Sequence, residues 1–154
     1  MSTSKFQSAK LPIILLTFAS LLVACKKDST DKDRDIVPTS LSGVYVLCEG
    51  PYGGANNSSI TYYEISSNTV TQDYFKKQNG IDLGSNANDL KQYGSKMYCV
   101  ITGTTVANKD SYVEVIDIAS GKSIKRIAFS DETKGFMPRY IQFFRDKAYV
   151  SSYD

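Results

Sequence analysis

The stretch DLKQYGSKMYC (Asp89 to Cys99) is followed 51 residues on by YIQFFRDKAYV (Tyr140 to Val150), and the two align without a gap. Each has an apolar residue second (Leu90, Ile141) and an aromatic fifth (Tyr93, Phe144). A short polar turn follows in both, then a lysine (Lys96, Lys147) and, two places later, a tyrosine (Tyr98, Tyr149). ITYYEISSNTV and VEVIDIASGKS align at a similar spacing, with an acidic residue and an isoleucine before the turn (Glu64-Ile65, Asp117-Ile118). A chain that writes one pattern twice is building one structural unit twice. Tyr45, Tyr98 and Tyr149 recur at that period and are expected to be mostly core.

The unit is β. Helical periodicity is nearly absent after the first forty residues, and short β-rich runs alternate with turn residues. GVYVLCEG, SITYYEI and TVTQDYF read as three strands, the last running from Thr69 to Phe75. ANDLKQYG and KMYCVITG form a hairpin across Gly-Ser, and SYVEVIDI and KSIKRIAF form another across Ala-Ser-Gly. RYIQFFR and KAYVSSY restart the pattern. Four short strands in a period of roughly fifty residues fit the blade of a β-propeller. SYVEVIDI supports this, since Val113, Val115, Ile116 and Ile118 put apolar groups on both faces, as a strand between two blades requires. The expected fold is therefore all-β, with antiparallel blades at about 41–80, 81–132 and 133–154. That makes two blades and the opening of a third. Closed propellers usually have four to eight, so the chain reads as the N-terminal part of a larger ring.

The N-terminus reads as an address. Lys5 and Lys10 precede the apolar run Leu11 to Ala24, which is too short for an ordinary membrane span. The run ends LVAC, which resembles the bacterial lipobox, so residues 1–24 are expected to be a signal peptide and Cys25 the lipidated new N-terminus. KKDSTDKDRD follows with no apolar residue, and 25–40 reads as a charged, solvated tether. The expected location is the bacterial outer membrane, lipid-anchored and surface-exposed.

Composition removes several functions. The chain has no histidine, which excludes Ser-His-Asp and Cys-His catalysis and metal sites built on imidazole. Lys+Arg number 18 against 16 for Asp+Glu, and Lys5 and Lys10 lie in the signal, so the mature chain is about neutral. With no basic stripe, nucleic acid is not an expected partner. Cys48 and Cys99 fall on equivalent faces of successive repeats by strand alternation, which favours two buried free thiols over a bridge.

The run YCVITG…SYVEVIDIASGKSIKRI resembles the repeat of YVTN-type, YncE-like β-propellers, and the likeness covers Leu41 to Asp154. YVLCEGPYG, DLKQYGSKMY and PRY further resemble the surface lipoproteins of gut anaerobes that capture cobalamin. That resemblance implies a cobamide as ligand and a TonB-dependent outer-membrane transporter as partner.

Three segments are placed to reach a propeller's rim. EGPYGGANNSS offers the carboxylate of Glu49, the ring of Tyr52 and the amides of Asn56 and Asn57, with glycines that let the backbone approach a ligand; the plainer reading is a surface hairpin loop. SNAND offers Asn86, Asn88 and Asp89, which equally suit backbone turns. FMPRY offers Arg139 for two-point contact with phosphate or carboxylate and Tyr140 for stacking, against an ordinary surface ion pair for Arg139. No catalytic, metal or cofactor residues are expected. Glu49 with Asp89 is the one conceivable carboxylate pair for glycoside cleavage. Besides ligand capture, two other functions fit the fold: a structural or adhesive propeller contacting protein or glycan, and a quinoprotein-like oxidoreductase.

Overall fold

The computed structural model describes residues 41–51 and 53–153, so the expected signal peptide and tether, with Cys25, and also Tyr52 and Asp154, lie outside the described residues. The described chain is nearly all β. β1 (Gly43–Cys48), β2 (Ser59–Glu64) and β3 (Thr69–Thr71) form one antiparallel sheet, followed by a short helix, α1 (Tyr74–Asn79). β4 (Ala87–Tyr93), β5 (Lys96–Ile101), β6 (Tyr112–Asp117) and β7 (Ser123–Ala128) form a four-stranded meander. β8 (Met137–Phe144) and β9 (Lys147–Tyr153) pair as a hairpin.

The repeat is literal at the level of register. Every pair of the β4–β5 hairpin recurs 51 residues later in β8–β9: Leu90↔Cys99 becomes Ile141↔Val150, and Tyr93↔Lys96 becomes Phe144↔Lys147. Even the β-bulge recurs, between Ala87 and Asp89 in β4 and between Pro138 and Tyr140 in β8. The β1–β2 ladder recurs in β5–β6 at an offset of 53, Tyr45↔Tyr62 matching Tyr98↔Val115. The first sheet thus matches the last three strands of the second, and β1 matches β5.

The sheets pack face on face. Tyr45, Leu47, Ile60, Phe75 and Leu83 meet Leu90, Met97, Cys99, Ile101 and Ile116 in one core. Tyr98, Val100 and Val113 meet Ile141, Phe143 and Val150 in a second. Tyr112 to Ile116 are all buried, as a strand covered on both faces should be. Burying each of the larger side chains contributes about 1.5–3 kcal/mol.

Three expectations are corrected. The third strand does not reach Phe75: Asp73 adopts φ 49°, which breaks the extended chain, and Tyr74–Asn79 coil into α1. Gly80 closes the helix at φ 70°, its N–H bonding Lys76 O. The helix drops Phe75 into the core and lays Tyr74 against Gly121, where a Cβ would lie 2.4 Å from the ring. Second, Cys99 is buried but Cys48 is exposed, although both are free. Cys48 shares its face with Val44 and Val46, which are 43% and 48% exposed, whereas their equivalents Met97 and Cys99 are 3% and 0% exposed. Third, the repeated tyrosines are not uniformly core: Tyr45 and Tyr98 pack between sheets, but Tyr149 is 55% exposed on the free face of β8–β9.

Candidate functional site

The bulges supply the site. A bulged residue falls out of the ladder, and the bend re-aims its side chain. The residue skipped in β4 is Asn88 and that skipped in β8 is Arg139, the same position 51 residues apart. They touch: Arg139 Nη1 donates to Asn88 Oδ1 at 3.1 Å. On its other side Asn88 Nδ2 donates to Glu49 Oε1 at 3.2 Å. The result is a line, carboxylate to amide to guanidinium, across the ends of all three sheets.

A second repeated position backs the first. Glu49 follows β1 as Thr102 follows β5, at the offset of 53, and Tyr153 matches Thr102 at the offset of 51. Thr102 is buried at 2% exposure. Its hydroxyl donates to Pro138 O at 2.7 Å or to Asn88 Oδ1, tying one bulge to the next. Arg139 lies 5.7 Å from the centroid of the Tyr153 ring, within reach of a cation–π contact. Thr102 is the residue that sequence alone does not mark, because TG after a strand looks like an ordinary turn. Its signal is its register with Glu49.

The remaining candidates are placed elsewhere. Asp89 Oδ2 accepts the Ile141 N–H at 3.0 Å, stitching β4 to β8, and Asp89 and Tyr140 line a separate open concavity of 520 Å³. Tyr140 is 62% exposed. Asn57 ties its loop together and to the entry of β4: Oδ1 accepts the Asn86 N–H at 3.0 Å, and Nδ2 donates to Pro51 O. Asn56 takes φ 49°, and its N–H donates to Ser85 Oγ. These bonds latch the 49–58 loop onto the entry to β4, helped by Ser58, which donates to Glu49 O and accepts from Ala87 N–H, each at 2.8 Å. The latch sets the height of Glu49 beside Asn88.

The electrostatics are open at the line and closed behind it. Ion pairs among the described residues include Lys76–Asp82 and Arg126–Glu114, and neither Arg139 nor Glu49 is neutralised by a direct described partner. Among the described residues, Arg139 forms no surface ion pair of the kind its plainer role called for. Behind, Glu114 is fully buried and held by Arg126 and Ser123. Burial first, and then the Glu114 charge, pushes the Cys99 thiol far up. Burial raises Tyr112 to about 12, with Arg126, 4.0 Å from its ring centroid, pulling the other way. At the loop leading into β8, hydrogen bonds from the Thr133 hydroxyl and the Lys134 and Thr133 N–H groups hold Asp131 down at about 2.

The class these features define is a mostly β chain of repeated antiparallel sheets carrying a polar line of unlike groups that runs from one sheet to the next. No protein-family model matches the chain, and no curated protein matches it.

Proposed function

We propose that the three sheets are consecutive blades of a β-propeller, and that the chain captures a small ligand at the rim. A cobamide is the first candidate. In this reading a lipid on Cys25 anchors the protein at the outer membrane, where it presents the ligand to a TonB-dependent transporter. The carrying observation is the Glu49–Asn88–Arg139 line, three chemically different groups set side by side by one repeated geometry. Such a row suits a ligand of many amides, hydroxyls and an oxyanion, held without covalent chemistry.

The exposed end faces support the ring. Val44 and Val46 on one end, and Tyr149 on the other, stand where the repeat elsewhere buries its apolar groups. Further sheets of the same kind would cover both.

The test is calorimetry on the detergent-solubilised full chain with cyanocobalamin. Saturable heat at micromolar concentration is the expected result, and a flat titration removes the cobamide. Co-purification with a TonB-dependent transporter from outer membranes tests the delivery step.

A further inference from the structure

The rim line holds two formal charges that do not meet. Asn88 stands between them, and their signs set its amide: Oδ1 toward the Arg139 guanidinium, Nδ2 toward the Glu49 carboxylate. The hydroxyl of Thr102, buried beneath, lies within reach of that amide and of the backbone of the second bulge, and donates to one or the other. Asn88 is thus a spacer that keeps Glu49 and Arg139 from forming an ion pair with each other.

A guanidinium has five N–H donors in a planar fork. Among the described residues, Arg139 spends one on Asn88 and rests near the Tyr153 ring. It is only partly exposed, which strengthens its interaction with an incoming charge. The fork geometry matches the paired oxygens of a phosphate or carboxylate.

We propose that Arg139 is the oxyanion-reading group of this rim. The ligand docks a phosphate or carboxylate on Arg139 and places a hydroxyl or amide N–H against Glu49, about one amide length away. Asn88 and Thr102 are positioning residues that hold the fork ready. The proposal rests on the ligand-capture function and names the chemistry that does the recognising. It also assigns specificity to a position: the bulge of each inner strand, with Asn88 and Arg139 as two instances.

Two corrinoids separate the oxyanion from the rest of the ligand. Cyanocobalamin carries a phosphodiester in its nucleotide loop, and dicyanocobinamide lacks it. The wild-type chain should bind cyanocobalamin at least about tenfold more tightly, the scale of one lost charge-assisted contact. Arg139→Gln should erase that preference by lowering cyanocobalamin affinity far more than dicyanocobinamide affinity, and Arg139→Lys should keep part of it. Equal affinity of the wild type for the two corrinoids, or an unchanged preference in Arg139→Gln, overturns the proposal. Binding of neither corrinoid sinks the cobamide reading alone. The oxyanion site is then judged by titrating inorganic phosphate, and separately acetate, at constant ionic strength while following the Arg139 Nε–H signal by NMR. A saturable shift of that signal with either anion, and not with chloride, supports the site, and no saturable shift with either refutes it. Unchanged thermal unfolding of Arg139→Gln confirms that the variant reports on binding.

Discussion

Replacing Arg126 by alanine should be among the most damaging single changes available on the surface of this fold. Glu114 sits on β6 with its side chain fully buried, directly across the ladder from Arg126 on β7. Arg126 Nε reaches Glu114 Oε2 at 2.7 Å, and the Ser123 hydroxyl donates to Oε1. Breaking a buried pair by deleting one partner leaves a charge in a poor solvent, at a cost of about 3–5 kcal/mol. Arg126 is itself 41% exposed, so water can enter the space it leaves, and that discounts the figure. The lost contact with the Tyr112 ring adds about 0.5–1 kcal/mol. Arg126→Ala should therefore cost about 2–4 kcal/mol, a large share of an ordinary domain's stability. Urea unfolding should show it as a midpoint lowered by roughly 1–2 M, given slopes of about 1–3 kcal/mol/M. Glu114→Gln combined with Arg126→Met removes both charges and should recover most of the loss. If Arg126→Ala costs under about 1 kcal/mol, or if the double variant is no better than the single, the pair is not the buried, mutually dependent unit described.

Three further outcomes follow from local geometry. With Cys25 exchanged for serine, iodoacetamide should label Cys48 in the native chain and Cys99 only after unfolding, because Cys99 is buried and its thiol is held protonated; mass spectrometry of the peptides reads this directly. Gly84→Ala should destabilise by about 2 kcal/mol or more in a thermal melt, since Gly84 takes φ +113° and an added Cβ would lie 2.5 Å from the Tyr112 hydroxyl. Asp131 has its folded pKa lowered to about 2, so the order it gives its loop is complete above the ordinary carboxylate value of 3.8 and is lost as pH falls from there through about 2; a carboxyl carbon titration with its midpoint near 4 would contradict the Thr133 and Lys134 contacts.

The repeat was legible because packing writes itself into period and spacing. Leu90 and Ile141, or Tyr98 and Tyr149, occupy matching register positions, and the sequence alignment already paired them. Other features were silent for physical reasons. TVTQDYF has the composition of a strand, but Asp73 in a left-handed conformation turns the chain, and no propensity scale reports a single φ. Nothing in YVEVID marks Glu114 as buried, because its partner lies on the next strand and only pairing brings them together. Cys48 alternates correctly with Val44 and Val46, yet alternation assigns a face and not what covers it. At the site, Glu49, Asn88 and Arg139 were expected as candidate binding residues, but their contact depends on a bulge, an extra residue that strand periodicity cannot place. Asn57 carried the same chemistry as Asn88 and went to the loop latch instead, because Asn86 and Pro51 lie within its reach.

The way the repeats agree and disagree separates structure from function within this one chain. Tyr45, Tyr98 and Tyr149 hold the same position in three repeats and are the same residue; where a neighbouring sheet is present, the tyrosine packs against it, Tyr45 reaching Ile118 O at 2.8 Å and Tyr98 meeting Phe143. Identity at that position follows from a constant demand, filling the gap between like sheets. The bulge position holds asparagine and then arginine, and the strand-end position holds glutamate, threonine and tyrosine. The backbone geometry there is as constant as at the tyrosines, yet the chemistry changes with each repeat. The bulge places each residue alike, but their neighbours differ: Asn88 lies between Glu49, Thr102 and Arg139, and Arg139 between Asn88 and the Tyr153 ring. Under the proposed capture function, such a row of unlike groups on a regular backbone would read the different parts of one asymmetric ligand.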